Sequence, residues 1–120
     1  MDLGLKGRTA IICASSRGLG YACAEAFAAE GASIVLNGRS VDPLKAAAET
    51  LRSKWGVTVT TVAGDATTDE GRAALVAACP APDILINNAG GPPPGDWRSF
   101  DREAWQKAID GNMLGAIFLI

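Results

Sequence analysis

The sequence predicts an α/β fold: a doubly wound parallel sheet with helices on both faces, incomplete, holding strands one to four and part of the helix that follows. Three observations predict it. Short β-branched runs alternate with Ala-rich stretches of helical spacing. Two of the runs, Ile34-Val35-Leu36 and Ile84-Leu85-Ile86, are apolar without alternation, as in strands covered on both faces. The first run passes through a Gly- and Ser-rich turn directly into a helical stretch.

The elements follow in order. The first strand is expected over Thr9–Ala14 and the first helix over Gly18–Glu30, with Leu19, Ala22, Cys23, Ala26 and Phe27 on one face and Gly31 as its left-handed stop. Ser33–Asn37 reads as the second strand. The second helix, Pro43–Trp55, takes Asp42 as N-cap and Pro43 as first residue, and buries Leu44, Ala48, Leu51 and Trp55. A third strand, Val57–Ala63, precedes Thr67-Thr68-Asp69-Glu70, a capping box that opens a helix over Glu70–Cys79. Asp83–Asn88 is the fourth strand. The last helix, Phe100–Ile120, sets Trp105, Ala108, Ile109, Met113, Ala116, Ile117 and Ile120 on one stripe. Doubly wound sheets add strands in the order 3-2-1-4-5-6. Strand four would then be a hydrophobic edge, and the last helix a crossover toward a further strand. Residues 1–120 are therefore expected to be the N-terminal portion of a longer single-domain fold.

Composition narrows the function. Of 120 residues, 48% are hydrophobic and 20% charged, as in a soluble globular domain. Eleven basic residues against 13 acidic ones give a net charge of −2, so neither nucleic acid nor a membrane is an expected partner. There is no His, and Cys13, Cys23 and Cys79 lack metal-ligand spacing; no metal is expected, and a reducing, cytoplasmic compartment fits. The start, MDLGLKGRTA, does not read as a secretion signal, and Met113–Ile120 is too short to span a bilayer.

Candidate site residues cluster at the strand ends. Ala14-Ser15-Ser16-Arg17-Gly18-Leu19-Gly20 joins strand to helix. Small residues let the backbone approach a phosphate, and the helix N-terminus offers free N–H groups and a positive dipole end. Gly18 and Gly20 allow tight packing, Ser15 and Ser16 bring hydroxyl donors, and Arg17 brings charge. The spacing differs from G-x-G-x-x-G, so a purely structural turn stays open. Asn37-Gly38-Arg39-Ser40 ends the second strand, and Arg39 follows Gly20 by close to the roughly 20 residues at which dinucleotide folds place their ribose reader. No acid stands within Asn37–Ser40 to receive a free 2′-hydroxyl. Arg39, with Arg17 across the gap, can instead clamp a 2′-phosphate, which favours NADP(H) over NAD(H) and argues against a methyltransferase using S-adenosylmethionine. Two solvated surface arginines are the plainer alternative. Asp65 can accept from an adenine amino group or simply cap a turn. Asn87 and Asn88 can tie strand ends together, while Ala89 and Gly90 let a ligand approach the backbone.

Ala14-x-x-x-Gly18-x-Gly20, Asp65 and Asn87-Asn88-Ala89-Gly90 together resemble the classical short-chain dehydrogenase/reductase family over its N-terminal half. Within it, the 3-oxoacyl-(acyl-carrier-protein) reductase type is the most similar. The resemblance implies a Rossmann-like domain in which Ala14, Ser16, Arg17 and Leu19 line pyrophosphate and ribose, and Arg39 and Ser40 hold the 2′-phosphate. It also implies that Asp65 and Ala66 face adenine, and that Asn88, Ala89 and Gly90 pass under the nicotinamide side. Cys13 and Ala14 stand where the family usually has Thr and Gly, and a left-handed φ at Ala14 would cost about 1 kcal/mol or more. The resemblance further implies that Asn112 is the catalytic Asn that holds a water in a proton relay. Asn112 falls on the apolar stripe, where a buried Asn needs partners; a bond to a neighbouring backbone group is the alternative. Gly111 and Gly115 weaken that helix, which implies close approach of another element. The family's Tyr-x-x-x-Lys would lie beyond Ile120, since the one tyrosine, Tyr21, reads as a packing residue. What the resemblance implies overall is NADPH-dependent reduction of a small carbonyl substrate to an alcohol by a homo-oligomer, dimer or tetramer. A non-catalytic NADP(H)-binding sensor or scaffold, or a truncated fragment, is the alternative.

Overall fold

Side chains branched at Cβ lose less freedom in an extended backbone than in a helix, so the runs rich in Ile, Val and Thr become strands. In the computed structural model, which describes residues 1–120, these are β1 (Thr9–Ile12), β2 (Ser33–Gly38), β3 (Val59–Ala63) and β4 (Ile84–Ile86). Between them lie α1 (Gly18–Ala29), α2 (Val41–Trp55) and α3 (Asp69–Ala78). After β4 come a 3₁₀ turn (Trp97–Ser99), α4 (Arg102–Ile109), a π-helical turn (Asp110–Leu114) and α5 (Gly115–Leu119). All strands pair in parallel in the order β3-β2-β1-β4, as expected. The winding direction reverses between β1 and β4, which opens a crevice beyond their carboxyl ends. No helix is long and apolar enough to cross a membrane.

The unbroken apolar run in β2 serves two cores. Ile34 and Leu36 join Ala10 and Ile12 under α1 and α2, against Ala24, Ala28, Leu44, Ala48 and Leu51. Val35 points the other way and joins Ile11, Cys13, Val62 and Leu75, with Leu119 of α5 packed on them. β4 is the expected edge strand, but its apolar run is less covered than a strand buried on both faces would be. Ile84, Leu85 and Ile86 are only half-buried, because β4 pairs with β1 alone and forms the sheet's edge.

Several element ends and faces differ from the sequence reading. α1 buries Gly20, Ala24 and Ala28, whereas Leu19 is 80% exposed and Ala22 and Ala26 face solvent. The helix lies so close to the sheet that Gly and Ala take the fully buried positions, while Cys23 and Phe27 of the expected face pack against the core partly buried. It does end as expected: Gly31 adopts φ +82°, its N–H donates to the Ala28 carbonyl, and the Ala32 N–H donates to that of Phe27. The N-cap of α2 is Ser40 rather than Asp42, and its side chain makes no capping bond. Pro43, whose missing N–H is harmless throughout a first turn, lets the helix begin two residues earlier. Trp55 is largely outside the core, with the Lys54 ammonium 5.1 Å from its ring centroid. In α3 the cap is Thr68 rather than Thr67; its hydroxyl accepts from the Gly71 N–H at 3.1 Å, so the box pairs Thr68 with Gly71 and not with Glu70.

The last helix is the largest correction. Asp101 caps α4 by accepting from the Ala104 N–H at 2.9 Å, and a π-helical turn interrupts the stretch read as one helix. Trp105, Ile109, Met113, Ile117 and Ile120 are exposed rather than buried. The side turned to the protein carries Gly115 as well as Leu119: Gly115 is buried, and a Cβ there would meet the Thr67 Cα at 3.5 Å. The inferred close approach at Gly115 is therefore present, and its neighbour is the β3–α3 turn.

Gly71 is held more tightly still. A Cβ on it would sit 1.8 Å from the Asp65 carbonyl oxygen, a backbone atom with no room to retreat. Gly71→Ala is expected to lower unfolding stability by about 3 kcal/mol, three times the effect of an Ala→Gly change on the exposed side of α3 at Ala77. Urea unfolding of both variants checks this; a wild-type midpoint for Gly71→Ala would mean the close approach is absent.

Candidate dinucleotide site

The site grows from how the strand ends are tied. Ser15 is fully buried: its hydroxyl donates to the Ile12 carbonyl at 2.7 Å and accepts from the Asn37 N–H at 3.0 Å. Asn37 is 2% exposed, and its amide spans three strands. Its Oδ1 accepts from the Ala14 N–H at 3.2 Å, and its Nδ2 donates to the carbonyls of Val62 and Gly64, each at 3.1 Å. Both side chains are turned inward with their polar groups engaged, so Ser15 and Asn37 shape the turn from behind. The reading of Ser15 as a donor toward phosphate is corrected accordingly. On the other side, Asn88 Nδ2 donates to the carbonyls of Cys13 and Ala14 at 3.3 and 3.2 Å, which ties β4 to β1 as expected. Burial pushes the Cys13 thiol above its ordinary pKa, partly offset by a backbone hydrogen bond involving Asn88.

Ala14 is thus gripped at both its N–H and its carbonyl. It has φ +47°, the one non-glycine residue in the left-handed region. That conformation costs a β-carbon about 1–2 kcal/mol, and it persists because the flanking amides over-determine it. Gly20 seals the turn: a Cβ there would lie 2.2 Å from the Ala14 carbonyl oxygen and 2.9 Å from Asn88 Nδ2. Gly18 has φ +61° and is exposed. Arg17 is the N-cap of α1 and extends no side-chain cap, and the first turn carries no acid. The amino end of α1 therefore offers N–H groups and a positive dipole outward.

The remaining candidates lie on the same rim. Arg39 and Ser40 are exposed after β2, and Ser16 lies beside Gly38, where a Cβ would meet its hydroxyl at 3.3 Å. Asp65 and Ala66 are half-buried after β3; Ala89 and Gly90 are exposed after β4. Asp65 Oδ1 accepts from the Thr67 hydroxyl at 2.7 Å and the Thr67 N–H at 2.9 Å, so it does cap its own turn, leaving Oδ2 outside these bonds. The Thr67 hydroxyl bond holds the Asp65 carboxyl below its ordinary pKa against the opposing effect of burial; the Thr67 N–H, Arg39 and Lys107 also lower it. A pocket of about 120 Å³ lies between sheet and π turn and gathers Ala66, Asn88, Ala89 and Asn112. Asn112 is exposed rather than buried, and its amide donates to the Ala108 carbonyl at 2.9 Å, the backbone alternative raised above. Arg17, Arg39 and Ser40 lie outside that pocket.

Residues 8–120 match the family model described as short chain dehydrogenase. The chain belongs to the short chain dehydrogenase family. A relative in this family, 3beta-hydroxysteroid dehydrogenase 1 of Eggerthella lenta, is 39% identical over 119 residues, covering 92% of this chain and 44% of that protein. The uncharacterized oxidoreductase YvaG of Bacillus subtilis is 32% identical over 120 residues, 99% of this chain and 46% of that one. Among solved structures, L-sorbose reductase from Gluconobacter frateurii, complexed with NADPH and L-sorbose, superposes with a TM-score of 0.94 at 41% identity, over 99% of this chain and 47% of the other. The chain spans about half the length of the curated relatives it matches.

Lys107 and Arg72 escaped the sequence reading, and Thr67 was read only as the opening of a capping box, not as the partner of Asp65. The spacing Asp65-x-Thr67 is an Asx-turn signal, and a basic residue in the opening turns of α3 runs against the helix dipole. Lys107 carried no signal.

Two outcomes follow from this geometry. Ala14→Gly is expected to leave stability unchanged or raise it by up to about 1 kcal/mol, strain relief being partly offset by a freer unfolded chain, while Ala24→Gly within α1 lowers it by about 1 kcal/mol. Paired thermal melts decide, and equal losses would mean Ala14 carries no strain. Asp65 has a depressed folded pKa, so its contribution is present above its unfolded value of about 3.9 and lost as pH falls through the folded one. The stability gap between wild type and Asp65→Asn is therefore expected to be widest near neutral pH and to shrink below about pH 4, read by urea titration at each pH.

Proposed function

We propose that this chain is the NADP(H)-binding portion of an NADPH-dependent short-chain oxidoreductase that reduces a ketone, a 3-oxoacyl thioester or another small carbonyl, to a secondary alcohol. The observation that carries the reading is the rim itself: an uncapped α1 amino end beside the exposed pair Arg39–Ser40, with no acid from Asn37 to Ser40. The residues fit the cofactor. The turn Ala14–Gly20 suits a pyrophosphate, because Gly18 keeps the backbone low and the α1 dipole favours negative charge. Arg39, Ser40 and Arg17 suit a 2′-phosphate, which an acidic side chain there would repel. Asp65 and Ala66 suit an adenine edge, and Asn88, Ala89 and Gly90 suit the nicotinamide half. The crystallised sorbose reductase with its NADPH supports the same choice.

When bound, the cofactor supplies the hydride that a carbonyl carbon takes up. This chain's own part is capture and orientation. Asn37 and Asn88 fix the turn, so the groove is formed before ligand arrives and little ordering accompanies binding. Asn112, already bonded to Ala108 through its amide nitrogen, keeps its amide oxygen for a water at the pocket. Tyr21 packs, partly buried, against the α1–α2 core, in keeping with a packing role. The exposed apolar side of α4 and α5, with the half-buried β4 edge, supports assembly as a homo-oligomer, a dimer or tetramer.

Arg39→Asp separates this reading from two idle surface charges. The substitution is expected to weaken NADPH binding by at least about tenfold and NADH binding by no more than about twofold, measured by cofactor fluorescence. Equal loss for both cofactors would overturn the 2′-phosphate clamp.

A further inference from the structure

Arg72 lies near the start of α3, where the helix dipole disfavours a cation, yet its side chain is only 12% exposed. A guanidinium is withdrawn from water only when its donors find partners. Here two donors find acceptors and the cation finds an aromatic ring, on three different segments. Nη1 donates to the Ala66 carbonyl at 3.3 Å, Nη2 pairs with the Asp69 carboxylate, and Cζ lies 5.4 Å from the centroid of the Phe118 ring on α5. Ala66 belongs to the turn assigned above to adenine. The next residue, Thr67, both bonds Asp65 and packs under Gly115, the residue where α5 begins. The turn Asp65–Thr67 is thus held on one side by Arg72 and on the other by Gly115 of α5, which continues directly from the π turn that carries Asn112, and Arg72 reaches around to α5 through Phe118.

We infer that Arg72 is a positioning residue that couples the adenine end of the dinucleotide site to the segment carrying Asn112. It acts through Ala66 and Phe118 and touches neither cofactor nor substrate. The inference rests on the dinucleotide reading and adds to it a mechanical link: ligand that steadies the Asp65–Thr67 turn also steadies Asp110–Leu119. Because the link runs through the adenine side, a ligand lacking the nicotinamide half is enough to reveal it.

The test uses adenosine 2′,5′-bisphosphate as the probe, with titration and amide hydrogen exchange on the wild-type chain, Arg72→Met and Phe118→Leu, each well below its melting point. In the wild type, saturating probe is expected to slow exchange in the Asp65–Thr67 turn and also in Asp110–Leu119. Arg72→Met is expected to weaken the probe by about tenfold and, at saturation, to lose the slowing in Asp110–Leu119. Phe118→Leu removes an exposed ring, leaves the Ala66 bond in place, and stands in should Arg72→Met fail to fold. It is expected to bind the probe within about twofold of wild type and still lose the distant slowing. Binding and distant slowing retained in either variant would overturn the coupling and assign Arg72 to bracing alone. A wild-type chain that ignores the probe altogether would overturn the dinucleotide reading itself, an outcome distinct from a wild type that binds while its variants behave identically.

Discussion

Parallel strands end in open carbonyls and N–H groups, and at the carboxyl edge of this sheet two asparagine amides satisfy them. Asn37 receives the Ala14 N–H and gives its own hydrogens to Val62 and Gly64, while Asn88 reaches the carbonyls of Cys13 and Ala14. Each such bond contributes only about 1 kcal/mol net, but a buried group left unpaired costs about 1–3 kcal/mol. Losing either amide would orphan several groups at once. The four strand tips therefore hold one geometry, and the candidate site on the rim hangs from it.

The consequence is a division of labour by depth. Ser15 and Asn37, polar but buried, spend their hydrogen-bonding capacity inside the protein and fix Ala14 in its left-handed conformation. That conformation turns the chain so that α1 begins with its N–H groups outward. Arg17, Arg39 and Ser40, all exposed, keep their charge and hydroxyl on the surface. A rigid polar frame beneath and unspent donors above is the arrangement that binds an anion with little reorganisation. The Cys13-Ala14 pair, in place of the Thr-Gly usual in the family, shows that the frame holds the turn without a glycine at position 14.

How much of this was legible depends on which force governed each residue. The two-sided core was legible because it follows from runs such as Ile34-Val35-Leu36, whose burial is set by the residues themselves, and strand order because alternating strands and helices wind in one habitual order. The end of α1 was legible because only a glycine takes the φ of Gly31 readily. The buried face of α1 was not, since the apolar pattern pointed to Leu19 while backbone proximity selected Gly20, Ala24 and Ala28. At the site, Asn88 was legible as a tie, whereas Ser15 was placed on the ligand side because a hydroxyl in a turn looks the same from sequence whether it faces in or out. Thr67 and Arg72 work through partners distant in the chain, Gly115 and Phe118, and no local pattern announces such a meeting.

The α4–α5 segment largely inverts the usual rule for a surface helix: Gly115 and Ala116 face inward beside Leu119, and most of the large apolar residues face outward. Space explains the inward side. Gly115 lies against Thr67 closely enough that a Cβ would be 3.5 Å from the Thr67 Cα and 3.0 Å from the Asp110 carbonyl oxygen. A larger residue would push the helix off the sheet edge and carry Asn112 away from Asn88, with which it shares the pocket. The π turn at Asp110–Leu114 has the same effect, since widening one turn re-aims the side chains that follow it. Once glycine is required inward, little of the inner side is left beyond the place taken by Leu119, and most of the apolar residues fall on the outer side. Trp105, Met113, Ile117 and Phe118 thus form an exposed apolar surface as a consequence of how the site is built.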